Sequence, residues 1–121
     1  MTTLTEGRYT GEHIISEASG TRSRDVVTLI AGQSLPPGAV LGKITASGKY
    51  TLLAPAATDG SEVACAVLFA AVDASAADKA AVVTARDAEV AGAALTWPAG
   101  MDAGEKTAAT AELKLLGIVI R

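Results

Sequence analysis

Few residues in this chain have types suited to chemistry, and their spacing assembles no known device. His13 is the single histidine, and Cys65 the single cysteine. A nucleophile needs a rigidly held base beside it. His13 lies in a polar stretch far from Cys65 in sequence, so it reads as an exposed or interface histidine. Cys65 lies inside an apolar run and reads as a small buried hydrophobe. Asp87 and Glu89 would share one strand face if their segment were extended, and two such acids can do acid–base work. Solvated surface is the plainer reading of the pair. Arg22 and Arg24, separated by Ser23, could grip a partner's carboxylates or stand solvated. Trp97, the one tryptophan, could stack on a ligand, join two subunits or plug a core. Pro98 directly after it marks an element boundary. No phosphate-cradling glycine loop, dinucleotide fingerprint or zinc-protease motif occurs. One cysteine permits neither an intrachain disulfide nor a thiolate metal cage. The residues thus imply no enzyme, no cofactor and no metal.

The elements that would position these residues are mostly strands. The chain has 121 residues, enough for one domain. Half are hydrophobic and only 3% are aromatic, so apolar volume comes from Ala, Val, Leu and Ile. Alanine alone supplies roughly a fifth. Small side chains make a thin core, and a thin core points to burial completed between subunits. The net charge of −3 argues against nucleic-acid binding, which needs clustered basic surface. No apolar run is long enough to span a bilayer, and the N-terminus does not read as a secretory leader.

Residues 1–25 read as a loose polar arm, broken by one apolar knot at Ile14-Ile15. Residues 26–121 read as a β-rich body. Strands are expected at 26–30, 39–44 and 49–53, the last two forming a hairpin about Ser47-Gly48. Residues 31–34 should break the first strand, and Pro36-Pro37-Gly38 should turn. Residues 63–72 read as one buried strand, 73–78 as a loop or helical turn, 80–86 as a strand, and 93–97 as an apolar segment stopped by Pro98. Asp102 or Gly104 should open a helix through Leu115, which Gly117 would end. The C-terminus, Gly117-Ile118-Val119-Ile120-Arg121, is apolar and β-branched. Such an end must be held in a sheet.

Several segments in order resemble the head decoration proteins of tailed bacteriophages, the lambda protein D type. They are Ile15-Ser16-Glu17-Ala18 with Arg22-Ser23-Arg24; Gly38-Ala39-Val40-Leu41-Gly42-Lys43 followed by Gly48-Lys49-Tyr50; Thr58-Asp59-Gly60; Leu95-Thr96-Trp97-Pro98; and Gly117-Ile118-Val119-Ile120. The resemblance covers most of the chain and is best from Thr58 onward. The arm is longer than in lambda D.

The family implies a mainly β, small β-clip-like domain with an extended N-terminal arm and at most one or two short helices. It implies a homotrimer on the outer surface of the virion, at threefold and quasi-threefold sites of an expanded head. There it would bind the major capsid protein and cement the shell against packaged DNA, without touching nucleic acid or membrane. His13, Ile14, Ile15, Ser16, Glu17, Arg22 and Arg24 would lie in the capsid-binding arm. Trp97, Pro98, Ile118 and Ile120 would lie in the core or at the trimer interface. A different reading is a small-ligand or enzymatic β-clip module, because Leu35-Pro36-Pro37-Gly38-Ala39-Val40 also resembles a turn and strand of sugar-acid lyase and antifreeze-like domains. An enzyme would need polar groups converging in a pocket.

Overall fold

A computed structural model describes residues 9–121. The first eight residues of the expected arm lie outside the described residues. Ten strands and one α-helix follow in order: β1 (Ile14–Glu17), β2 (Arg24–Leu29), β3 (Gln33–Leu35), β4 (Val40–Lys43), β5 (Tyr50–Leu52), β6 (Ala64–Leu68), β7 (Val72–Ala74), β8 (Lys79–Thr84), β9 (Ala88–Val90), α1 (Ala103–Leu115) and β10 (Ile118–Ile120). A single 3-10 turn spans Gly92–Ala94. The fold is mainly β, as the sequence indicates.

Five strands close into a small barrel in the order β2-β5-β4-β6-β8. Its long seam is the antiparallel pairing of β2 with β8, from Arg24↔Thr84 to Leu29↔Lys79. Side chains alternate across that seam. Val27 and Ala81 face each other within the barrel's hydrophobic cluster, while Val26 points to solvent, 74% exposed. The interior is filled by Leu29, Leu41, Leu68 and Val83 with the small Ala39, Ala66, Ala74 and Ala81. A narrow barrel has room only for such a mixture, which accounts for the alanine content of these strands.

A second cluster lies outside the barrel wall, under α1 and the sheet β1-β9-β10. Val40 and Val67 reach it from the barrel, Ala109 and Leu113 from the helix, Val90 and Ile118 from the sheet. Strands β4 and β6 therefore face apolar surroundings on both sides. Val40 looks outward and Leu41 inward; Val67 looks outward and Leu68 inward. Two-sided burial produces a continuous apolar run instead of an alternating one.

That run is where expectation and structure differ. Residues 63–72 hold not one strand but β6, a break at Phe69-Ala70-Ala71, and the start of β7. After Leu68 the chain leaves the barrel, and β7 pairs with β3 as a separate two-stranded ribbon. β3 falls where a break and a turn are expected, and β7 straddles the end of the expected strand and the start of the expected loop. Gln33 substitutes for a backbone partner there, its Oε1 accepting from Leu52 N at 2.9 Å. Asp73 turns the chain through Ser75, whose N–H and hydroxyl both donate to Asp73 Oδ1.

The hairpin of β4 and β5 forms as expected, with Lys43 opposite Tyr50 and Gly48 N bonded to Ile44 O at 2.8 Å. Close approach, not turning, explains Gly42: a Cβ there would overlap the carbonyl of Ser61. The helix also starts and stops where expected. Asp102 accepts from Glu105 N at 2.8 Å, and Glu105 Oε1 accepts from Asp102 N at 3.2 Å, a capping box. Gly117 ends it at φ +86°, which an L side chain resists.

The C-terminal strand β10 lies parallel to β9, Ile118 opposite Ala88 and Ile120 opposite Val90. The backbone of Arg121 closes the strand on both sides, donating to Val90 O at 2.8 Å and accepting from Gly92 N at 3.0 Å. Residues 93–97 form no strand. The 3-10 turn ends at Ala94, and only Thr96 makes a bridge, parallel to Ala39.

Candidate functional site

The segment from His13 to Arg24 holds most of the candidate contact residues, and the structure lays it against the body. Strand β1 pairs antiparallel with β9, Ile14 opposite Val90 and Glu17 opposite Ala88, with an irregularity between Ile14 and Ser16. Two bonds fix its ends: Ala91 N donates to His13 O at 2.7 Å, and Ala18 N to Asp87 O at 3.0 Å. Strand β2 begins at Arg24, two residues earlier than expected. Among the described residues, the stretch from Ile14 onward is therefore docked on the body and not loose.

His13 needs a correction. It is 1% exposed within the single chain, so it is neither an exposed nor an interface histidine. Neither ring nitrogen has a hydrogen-bond partner among the described residues. Burial pushes its pKa below the usual 6.5, and the carboxylates of Glu17 and Glu12 offset this only in part. Glu17 is the hub of the next layer. Ser23 Oγ donates to its Oε2 at 2.6 Å, Arg24 Nε donates to the same oxygen at 3.2 Å, and Arg24 Nη2 bonds Oε1. The Arg24 guanidinium lies 3.9 Å above the Phe69 ring, a cation–π contact. Burial alone would raise the Glu17 pKa; the hydrogen bonds from Arg24 and Ser23 outweigh it and hold the group below its usual value. A bidentate pair, a buried serine and an aromatic ring thus clamp β1 to β2 and to the barrel.

The two shifts give a pH dependence with a definite sign. Folded His13 stays neutral where the unfolded chain takes up a proton, so its contribution is present above pH 6.5 and lost as pH falls through the lowered pKa. Glu17 contributes above its ordinary 4.5 and its contribution is lost at still lower pH. The denaturant midpoint should therefore hold steady above pH 6.5 and fall below it. In His13→Leu the first decline should disappear and the carboxylate decline remain. An unchanged profile in that variant, or an imidazole titrating at the ordinary value by NMR, would refute the assignment. The single histidine makes the signal unambiguous.

The remaining arm residues face outward or stay half-covered. Ile14 is half-buried, Ile15 is 54% exposed and Ser16 is exposed. Arg22 stands 3.7 Å from Asp87, with both side chains half-exposed or more, a weak pair. Arg22 and Arg24 do not act together, because Arg24 is committed to Glu17. Asp87 and Glu89 do not share a strand face either. Asp87 precedes β9 at φ +51°, and Glu89 instead meets Arg121 at 3.4 Å. Cys65 is half-buried beside the barrel cluster, and burial pushes its thiol up to about 11. Such a thiol is a poor nucleophile at neutral pH.

Trp97 and Pro98 are half-buried, Ile118 is fully buried and Ile120 half-buried. Trp97, Met101 and Ile120 pack against the second cluster. Glu62, Glu105 and Glu112 line a groove between Leu53 and α1. Each already serves the backbone, accepting from Gly60 N, Asp102 N and Ala64 N. Among the described residues no group of three or more His, Cys, Asp or Glu is placed to hold a metal ion, and no helix is long and apolar enough to cross a membrane.

Sequence reasoning missed the roles of Ser23 and Phe69 in the clamp. Phe69 carried one signal, its rarity as the single phenylalanine; Ser23, one serine among several, carried none.

No curated protein matches the chain. A model of the family described as bacteriophage lambda head decoration protein D matches residues 3–118, nearly the whole sequence. The ordered segments, the mainly β fold and this match agree, and the chain belongs to the bacteriophage lambda head decoration protein D family.

Proposed function

We propose that the protein cements an expanded phage head, binding its outer surface as trimers at threefold and quasi-threefold sites and resisting the pressure of packaged DNA. Family membership over residues 3–118 carries this reading. The major capsid protein is the partner, and the segment within residues 1–25 is the grip. Strand β1 stands at one edge of the order β1-β9-β10, so a strand of the shell can pair beside it. Ile15 is the outward apolar anchor. Ordering a free arm would cost roughly 1–2 kcal/mol per residue, against about 0.5–1.5 kcal/mol gained per hydrogen bond. In β1 that cost is already met by the docking on β9, so pairing and burial of Ile15 count in full. The body contributes no catalysis and uses no cofactor in this role.

The test uses expanded heads assembled without the protein. Added protein should co-sediment with them, appear as threefold knobs by electron microscopy, and raise the temperature at which DNA is released. Heads that stay bare, or decorated heads no more resistant than bare ones, would overturn the reading.

A further inference from the structure

Besides Tyr9, Ile15 and Val63, the described surface leaves two apolar features uncovered, one concave and one convex. A groove of about 490 Å³ lies on the outer face of the β2–β8 seam. Val26, Phe69, Ala70 and Val82 line it together with the charged Arg24 and Asp25. The knob is at the other end of the sequence. Leu115 and Leu116, where α1 ends, are 88% and 43% exposed. The two cannot satisfy each other within one chain, since Val26 and Leu115 are both left largely in water. Helix α1 packs chiefly on β10 and β6, whereas β2 packs on β8 and β5.

We infer that the groove takes Leu115 and Leu116 of a second copy, so that subunits join head to tail. A groove and a knob on different walls of one chain make a heterologous contact, which closes into a ring when the rotation allows. The charges agree with this docking. Lys114, next to the knob, makes no ion pair among the described residues. Asp25, at the groove, gives only Oδ2 to Arg86, at 2.5 Å, and keeps Oδ1 for a cation. The inference rests on the trimer reading and names the faces that would build that trimer.

The experiment is thiol cross-linking on a Cys65→Ala background, with a short bis-maleimide, in solution and on heads. Val26→Cys/Leu115→Cys should give covalent trimers. Val26→Cys alone and Leu115→Cys alone should stay monomeric on denaturing gels, because the contact never sets like against like. In parallel, Leu115→Asp should weaken trimer association about tenfold to a hundredfold by sedimentation, while its circular dichroism stays that of a folded chain. Trimers that form without cross-linking in the double variant overturn the docking and leave the trimer reading standing. So do single variants that link as well as the double one, and so does a groove shielded from maleimide only when the capsid protein covers it. Monomers in solution and on heads overturn both.

Discussion

Deleting residues 1–21 is expected to destabilise the whole body, not merely to free it from the head. The deletion removes β1, and with it the strand that covers one edge of β9. What remains of that sheet is a parallel pair of three-residue strands, β9 and β10, too small to hold together well. Arg24 loses Glu17 and is left half-buried over Phe69 without its carboxylate. Several hydrogen bonds at about 1 kcal/mol each, plus the broken pair, amount to roughly 3–5 kcal/mol. That is a large share of the roughly 5–15 kcal/mol a small domain has, and the melting temperature should fall by roughly 12–20 °C. Head binding then needs a variant that keeps the fold. Ile15→Asp alters an exposed side chain of β1 and should melt like wild type while losing the head. Undiminished head binding by Ile15→Asp would place the grip elsewhere, and wild-type melting after deletion of 1–21 would show that β1 does not hold the sheet.

This expectation departs from the sequence reading at one place, for one reason. Residues 13–24 look loose because they are polar, and polarity in a short strand is ambiguous. Ser23 and Glu17 are polar and covered, since each satisfies the other. His13 is covered because β1 meets β9, more than seventy residues away in sequence; no local pattern encodes that contact. Local features read correctly. The opening of α1 at Asp102, one of the two starts expected, the stop at Gly117, the β4–β5 hairpin and the terminal strand each depend on a few neighbouring residues. The run 63–72 is the intermediate case. Its composition announces burial on both faces, but a strand buried on both faces carries no period to say where it ends. The outward apolar residues Val26 and Leu115 were invisible for the same reason, because a hydrophobic residue in a short element does not declare which side it faces.

Replacing Trp97 with alanine is expected to cost about 3 kcal/mol, the lower end for removing a large aromatic side chain. The ring is half-buried, so part of the space it leaves opens to water and is not an empty cavity. Its position is nevertheless fixed from both sides. Thr96 N donates to Gly38 O at 2.8 Å, and Thr96 O accepts from Val40 N at 3.1 Å, which pins the preceding residue to the barrel wall. From there the indole packs against the cluster where the barrel meets α1 and β10, as Met101 and Ile120 do. Removing it loosens the contact between three elements at once. Leu113→Ala is the internal standard, because Leu113 is fully buried in the same cluster and cannot touch a neighbour. Both variants should lower the melting temperature of dilute protein. The exposed edge of Trp97 adds a second readout, the dependence of melting on concentration. A core residue shifts melting equally at all concentrations, as Leu113→Ala should. A residue at a subunit junction shifts it more where the trimer is populated, because binding between copies stabilises the folded state by mass action. We expect Trp97→Ala to follow Leu113→Ala in dilute solution and to lose decoration of heads as a consequence of the weaker body. Wild-type melting together with wild-type head binding would remove Trp97 from both the core and the junction.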